Sequence, residues 1–427
     1  MSDETAAGAA EKGAKVSGLE MAASDRAILR ELARQMAELA ARPIEQEKRD
    51  LWYAHNALEP TRPVIFCDPE NGWNEIITPD HIKCEGQLAR GWEMHLRKMI
   101  FWGAQMCDDF VVTSEFCVPH VHTQTDYGLS ETYTHGDSPG GSYVWDSPVK
   151  CHDDLNKLRF PTVTVDHGAT EQVVQLARET FSDILNVRLH TVWWWSFGIT
   201  RPAIRLRGLE QIMLDMYDNP DLLHRLMGFL RDSYLTRFEF IEREGLLFLN
   251  NDGTYVGSGG FGWSNELPQA DFEGRVRTMD MWGFAESQET IGVSPALFEE
   301  FVFQYQLPLL ERFGLNCYGC CEPVDSRWHI LERIPRLRRV SVSPWSSVEK
   351  MAEYLGDRYI FSLKPNPSEL AEPGFDEERI RAGLRRTFEA TRDCRVEAIM
   401  KDNHTICRDP SRVIRWVRIA REEAERV

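Results

Sequence analysis

From Asp108 onward, short β-rich runs alternate with helical stretches, and that alternation leaves few folds open. Eight runs read as strands: Phe110–Ser114, Thr191–Phe197, Leu246–Asn250, Arg277–Phe284, Leu315–Gly319, Arg339–Ser343, Tyr359–Lys364 and Arg395–Met400. Helical stretches such as Asp221–Arg243, Ser294–Phe313 and Asp376–Thr391 lie between most of them. Such alternation implies parallel strands joined by crossover helices. Crossovers of this kind are right-handed, so closure is the natural outcome, and eight strands is the count of a (β/α)8 TIM barrel within the α/β class. An open doubly wound sheet would want a glycine-rich phosphate turn after its first strand, and none is present. The glycine-rich stretch Gly257–Gly262 lies elsewhere and reads as a mobile loop.

The N-terminal part is organised differently. Residues 1–20 are small and polar and read as a disordered tail. Residues 21–107 read as a helical extension packing on the barrel or on a second subunit. Ile28, Leu29, Leu32, Met36 and Leu39 recur at helical spacing, and Pro43 ends that helix. Val64–Cys67 reads as a short strand within this extension. The barrel then spans 108–427. Its segment Val118–Val165 is long and irregular and is expected to cover one mouth, since loops of that length usually carry a function.

Bulk properties narrow the function. A chain of 427 residues fits a large barrel with an added segment. Its formal net charge of −18, with no basic stripe, excludes a nucleic-acid surface. No run of about 18 apolar residues exists to span a membrane. The N-terminus lacks a basic region followed by an apolar one, so a cytoplasmic chain is expected. Its ten cysteines are then expected to be reduced rather than bridged.

A barrel carries its chemistry at the C-terminal ends of its strands. That rule places Trp195, Asn250, Tyr318, Ser343, Asn366 and Lys401 around a substrate or cofactor. Trp195 closes the run Trp193–Trp195 and would offer a flat wall, although core packing is the commoner use of tryptophan. Asp252, Glu286 and Lys364 are the catalytic candidates. The two carboxylates would serve as general acid or base and the lysine would hold an anion, with ordinary ion pairing as the alternative.

The stretch Tyr318-Gly319-Cys320-Cys321-Glu322 carries soft sulfur beside hard oxygen at a strand end. With His404 from the eighth strand, Cys320, Cys321 and Glu322 would form a zinc site with an open position. Cys407 is an extra candidate ligand. The competing account is two thiols packed as small hydrophobes and a histidine satisfied by its loop. His120 and His122 sit in a loop, where residues two apart need not share a metal.

The block Leu209-Glu210-Gln211-Ile212-Met213-Leu214-Asp215-Met216-Tyr217-Asp218-Asn219-Pro220-Asp221-Leu222 resembles the uroporphyrinogen decarboxylase-like superfamily. So do Asp280–Glu286 and Gly292–Phe301. Tyr318-Gly319-Cys320-Cys321 falls where the corrinoid-linked methyltransferases of that superfamily have a His-x-Cys zinc motif, with Tyr318 in place of the histidine. Lys401-Asp402-Asn403-His404 falls where they have their last zinc ligand, usually cysteine. The arginine-rich N-terminal motif of the decarboxylase branch is not found. The resemblance spans about residues 190–425. It implies a zinc-dependent methyltransferase that moves a methyl group between a corrinoid on a partner protein and a small-molecule thiol or other acceptor or donor. It also admits a homodimer. Two other expectations stand beside it: a metal-free decarboxylase or lyase using Asp252, Glu286 and Lys364, and a non-catalytic corrinoid or tetrapyrrole-binding protein.

Overall fold

The computed structural model describes residues 20–135 and 143–427, so the expected tail at 1–20 lies almost wholly outside the described residues. Six strands form one parallel sheet: β1 (Val64–Cys67), β2 (Trp282–Ala285), β3 (Leu315–Tyr318), β4 (Leu337–Val342), β5 (Ile360–Leu363) and β6 (Arg395–Met400). Their spatial order is β1-β6-β5-β4-β3-β2, and every neighbouring pair is parallel. β1, β2, β3 and β5 are buried at every position, the mark of a sheet covered on both faces. Helices connect the strands, and local chemistry starts several of them. Ser347 accepts from Lys350 N to open Val348–Leu355, and Asp376 accepts from Arg379 N to open Glu377–Ala390.

Five of the eight expected strands therefore stand in this sheet, and a closed eight-stranded ladder is not among its pairings. Val64–Cys67 is not an appendage of the helical extension. It is the strand beside β6. The first three expected strands depart from the pattern. Phe110–Ser114 makes no ladder; its neighbour Glu115–Val118 pairs with Asn186–Leu189 in a separate two-stranded sheet. Thr191–Phe197 and Leu246–Asn250 make no ladder either, and the reason lies in their side chains. Asn250 Oδ1 accepts from Trp282 N (2.8 Å) and Asn250 Nδ2 donates to Trp282 O (3.1 Å), so one amide side chain fills the place of a neighbouring strand. Trp193 Nε1 donates to Leu246 O (2.8 Å) in the same way. Single backbone bonds mark both free edges: Phe197 N to Phe284 O (3.0 Å) beside β2, and Asp109 N to Ile65 O (2.8 Å) beside β1.

The glycine-rich stretch is not a mobile loop. It is a buried hairpin, Tyr255–Val256 against Gly260–Phe261. It lies against side chains of β4 and β6, which explains its composition. A Cβ on Gly259 would sit 2.4 Å from Ile399 Cγ2, and its φ of +116° suits glycine alone. Beneath the hairpin lies a buried polar cluster. Arg339 Nε is 2.9 Å from Glu397 Oε1, and Arg339 Nη2 donates to Asn56 Oδ1 (2.7 Å). His55 Nε2 is 3.2 Å from Glu397 Oε2, and Ser362 Oγ donates to Glu397 Oε1. Among the described residues, no helix is long and apolar enough to cross a membrane.

Segment 118–165 is less irregular than expected. It holds the strand pairs His122–Gln124 with Val163–Val165 and Thr132–His135 with Tyr143–Asp146. It docks on the helix Thr200–Arg207, with Trp145 Nε1 donating to Ile204 O (3.2 Å).

One buried carboxyl next to β1 makes stability depend on pH. Burial pushes Asp108 up to about 7, although it accepts from Cys67 N and Phe110 N. A folded-state value above the unfolded one, near about 3.9, stabilises at low pH and loses that contribution as pH rises through the folded value. Asp108→Asn should flatten the stability profile between about pH 4 and about pH 7. It should also lower stability throughout by about 1–3 kcal/mol, because a new N–H faces a backbone donor. Denaturant titrations across that range read both effects.

Candidate functional site

Because all six strands run the same way, their C-terminal ends share one edge. β1 runs into Asp68–Glu70, β2 into Glu286–Ser287, β3 into Gly319–Glu322, β4 into Ser343, β5 into Lys364 and β6 into Lys401–Asp402. Gly319 adopts a φ of +88° and turns the chain at the end of β3, which sets the two cysteines on the edge.

Cys320 is the most heavily supported sulfur there. Ser258, at the tip of the buried hairpin, donates its hydroxyl to Cys320 Sγ (3.3 Å). Cys321 Sγ lies 3.6 Å from Cys320 Sγ, and Cys321 Sγ is 3.7 Å from Asp402 Oδ2. The hydrogen bond from Cys321 lowers the Cys320 thiol below its ordinary value; burial opposes the shift and the Lys401 ammonium aids it. Cys321 moves the other way, raised by the bond it gives to Cys320 and by burial. The two shifts bias the pair toward a proton on Cys321 rather than on Cys320.

Two lysines and a buried carboxyl lie around that pair. Lys401 is nearly buried, with Nζ 3.4 Å from both Glu70 Oε1 and Asp402 Oδ1 and 5.7 Å from the centre of the Trp195 ring. Burial works against its ammonium, but Tyr255, Cys320, Asp402 and Glu70 together raise it. Lys364 is bonded only to Ser362, through O and Oγ, and burial brings it down to about 8. Glu286 accepts from Ser196 Oγ (3.3 Å) and Gln288 N (3.1 Å). Burial, Glu289 and Glu322 lift its carboxyl well above the usual range.

The structure thus brings Cys320, Cys321, Lys401 and Trp195 together, with Glu286 and Lys364 within electrostatic reach. It does not assemble the expected zinc set. Glu322 turns inward: Oε1 accepts from Ser287 N (2.7 Å) and Oε2 from Cys320 N (2.9 Å), so it straps β2 to β3. His404 is exposed, with Nδ1 3.4 Å from Asn71 Nδ2. Cys407 Sγ donates to Ala371 O (3.1 Å). Among the described residues, no group of three or more His, Cys, Asp and Glu side chains is arranged to hold a metal ion. Of the expected ligands only Cys320 and Cys321 meet, while Glu322 and His404 are engaged elsewhere, so the set as placed does not fit zinc.

Other expected residues serve local structure. Asp252 accepts from Thr254 (N, 2.9 Å; Oγ1, 2.6 Å) and from Arg188 Nη1 (3.3 Å). Tyr318 donates its hydroxyl to Gln306 Oε1 (2.8 Å), Asn366 accepts from Ser368 N (3.0 Å), and Ser343 Oγ bonds Ser346 Oγ (3.4 Å). Asn250 completes the edge of β2. His120 and His122 lean on Thr191 and Trp193 instead of sharing an ion. A cavity of 30 Å³, about one water molecule, lies along Trp193–Trp195, Asn250 and Tyr255. The pairing of Lys401 with Asp402 is the ordinary ion pair expected as the alternative for that lysine. Ser258 and Glu70 were not expected, and Glu70 would have followed had Val64–Cys67 been counted with the sheet. Nothing in the sequence marks Ser258 except its place between two glycines.

No family model and no curated protein matches this chain. Among solved structures, a methyltransferase from Methanosarcina mazei is similar over 88% of this chain and 97% of its own, with 13% identity and a TM-score of 0.45. At that level the likeness carries no argument about chemistry.

Proposed function

We propose that this chain is a methyltransferase of the uroporphyrinogen decarboxylase-like kind, built on a closed (β/α)8 barrel. It moves a methyl group between a corrinoid on a partner protein and a small-molecule thiol or other acceptor or donor. The observation that carries the reading is the Cys320 sulfur, which gathers hydrogen bonds from Ser258 and Cys321 beside the Lys401 ammonium at the C-terminal edge. Zinc is left out, because its expected ligands do not meet. In its place Cys320 acts as the base. Its thiolate takes the proton of the acceptor thiol, and the acceptor sulfur then displaces the methyl group from its donor. An S–C bond forms, and the electron pair of the broken bond stays with the donor. Lys364 and Lys401 favour an anionic acceptor, and Lys401 balances the charge on Cys320 while the proton moves. The chain is further taken as cytoplasmic and homodimeric.

The test uses methylcobalamin with a small carboxylated thiol. The expected result is protein-dependent loss of the methyl-corrinoid spectrum, slowed about 100-fold or more by Cys320→Ala. A rate equal to that without protein, or one unaffected by the substitution, overturns the reading.

A metal-free decarboxylase or lyase is the second reading, favoured by the raised Glu286 carboxyl and the lowered Lys364 amine. Carbon dioxide release that is lost in Lys364→Met and kept in Cys320→Ala would select it.

A further inference from the structure

We infer that Cys320 and Cys321 form a reversible oxidation site, a dithiol that closes into a disulfide between neighbouring residues and so gates the edge by redox state. The inference goes beyond methyl transfer and rests on the placement of two sulfurs alone.

Four observations carry it. All ten cysteines are free, and only Cys320 and Cys321 have their sulfurs in contact among the described residues. The sulfurs are 3.6 Å apart, so closing the gap to a bond of about 2.05 Å needs a shift of the order of 1.5 Å. Cys321 is half-buried and within reach of a small oxidant, whereas Cys320 is buried behind it. The pair lies outside the ladder, in a turn beyond β3 that Gly319 opens from the left-handed region.

The oxidant class is a peroxide. The Cys321 sulfur takes one peroxide oxygen and becomes a sulfenic acid, while its thiol proton leaves with the other oxygen as water. The Cys320 sulfur then displaces the sulfenic hydroxyl. The S–S bond forms, the S–O bond breaks, and the hydroxyl leaves as water with a proton from solvent, the one Cys320 had already given up to it. Two thiols are oxidised, one peroxide is reduced, and two waters result. Adjacent residues have Cα atoms about 3.8 Å apart, below the usual disulfide span of about 4.4–6.8 Å. The ring is therefore strained, and a strained bridge is readily reduced. Reversibility follows from the sequence itself.

The test treats the full chain with hydrogen peroxide, blocks remaining thiols with iodoacetamide, and weighs the peptide that carries both cysteines. Expected is a form in which Cys320 and Cys321 are unlabelled and the mass is about 2 Da below that of the dithiol, restored by dithiothreitol. Cys317, in the same stretch but buried against Arg339, should remain alkylated; a Cys317→Ser chain should give the same bridge. In Cys321→Ser the loss of mass should vanish. Alkylation of both cysteines after peroxide overturns the inference. So does their oxidation to sulfinic or sulfonic acid without a bridge, or a bridge that needs Cys317. These masses are read without any methyl donor, so failure here and failure of methyl transfer are separate results.

Discussion

Glu397→Ala should cost about 3–5 kcal/mol of folding stability, the largest loss expected from any charge removal in this chain. Glu397 is fully buried on β6. Burial works against its ionisation, yet Arg339 and His55 hold the carboxyl far below the usual range. Without it the Arg339 guanidinium stays buried with Asn56 Oδ1, a long bond to Phe261 O and weak contacts to Cys317 and the Trp282 ring, none of them charged. An uncompensated buried cation is the costly state, more than the lost attraction itself. The same argument predicts a rescue: Arg339→Met with Glu397→Leu should recover much of the loss, since an apolar pair of similar volume leaves no charge behind. The sign with pH follows from the depressed carboxyl. Its contribution is present above the unfolded value, near about 4.3, and is lost as pH falls below it. The Glu397→Ala chain should therefore lose less stability on acidification than the parent. Denaturant midpoints for the parent, the single variants and the double variant close this cycle. A Glu397→Ala loss below about 1 kcal/mol would contradict the cluster.

Gly262→Ala should destabilise by at least about 3 kcal/mol or abolish folding. A Cβ there would lie 1.7 Å from Asn250 O and 2.8 Å from Asn250 C, both backbone atoms. Neither side can move aside. Asn250 is pinned by two side-chain bonds to the Trp282 backbone. Gly262 donates to Thr254 O (3.0 Å) and accepts from Trp282 Nε1 (3.0 Å). Gly292, with nothing within 4 Å of its Cβ position, is the control, and Gly292→Ala should stay within about 0.5 kcal/mol of the parent. Thermal melts of the two variants decide it. Equal melting would mean that the hairpin does not lie in the sheet interior.

These two positions also show what the sequence could and could not tell. β3, β5 and β6 were legible because a strand covered on both faces is mostly apolar, broken here only by Asn316, Ser362, Arg395 and Glu397. Leu246–Asn250 looked the same, but an asparagine side chain replaces the backbone ladder, and no periodicity records that exchange. Val64–Cys67 was recognised as a strand, but its distance in sequence from β6 hid its neighbour. Glycine in Gly257–Gly262 was ambiguous by nature: the lack of a Cβ serves a loop in solvent and a hairpin pressed against Ile399 equally well. The rule of strand ends located Cys320, Cys321, Glu286, Lys364 and Lys401. It gives position and not direction, so it could not foresee that Glu322 turns back to two amides. Nor could it see that Asp402, at a φ of +61°, carries the chain outward before His404.

The account stands on the lowered thiol of Cys320. The ultraviolet absorbance of thiolate, followed against pH in the parent and in Cys320→Ser, measures it directly. The difference between the two should show one thiolate appearing with a midpoint below about 8.5, the ordinary cysteine value. A midpoint at or above that value, or no difference between the two chains below it, would contradict the site as described.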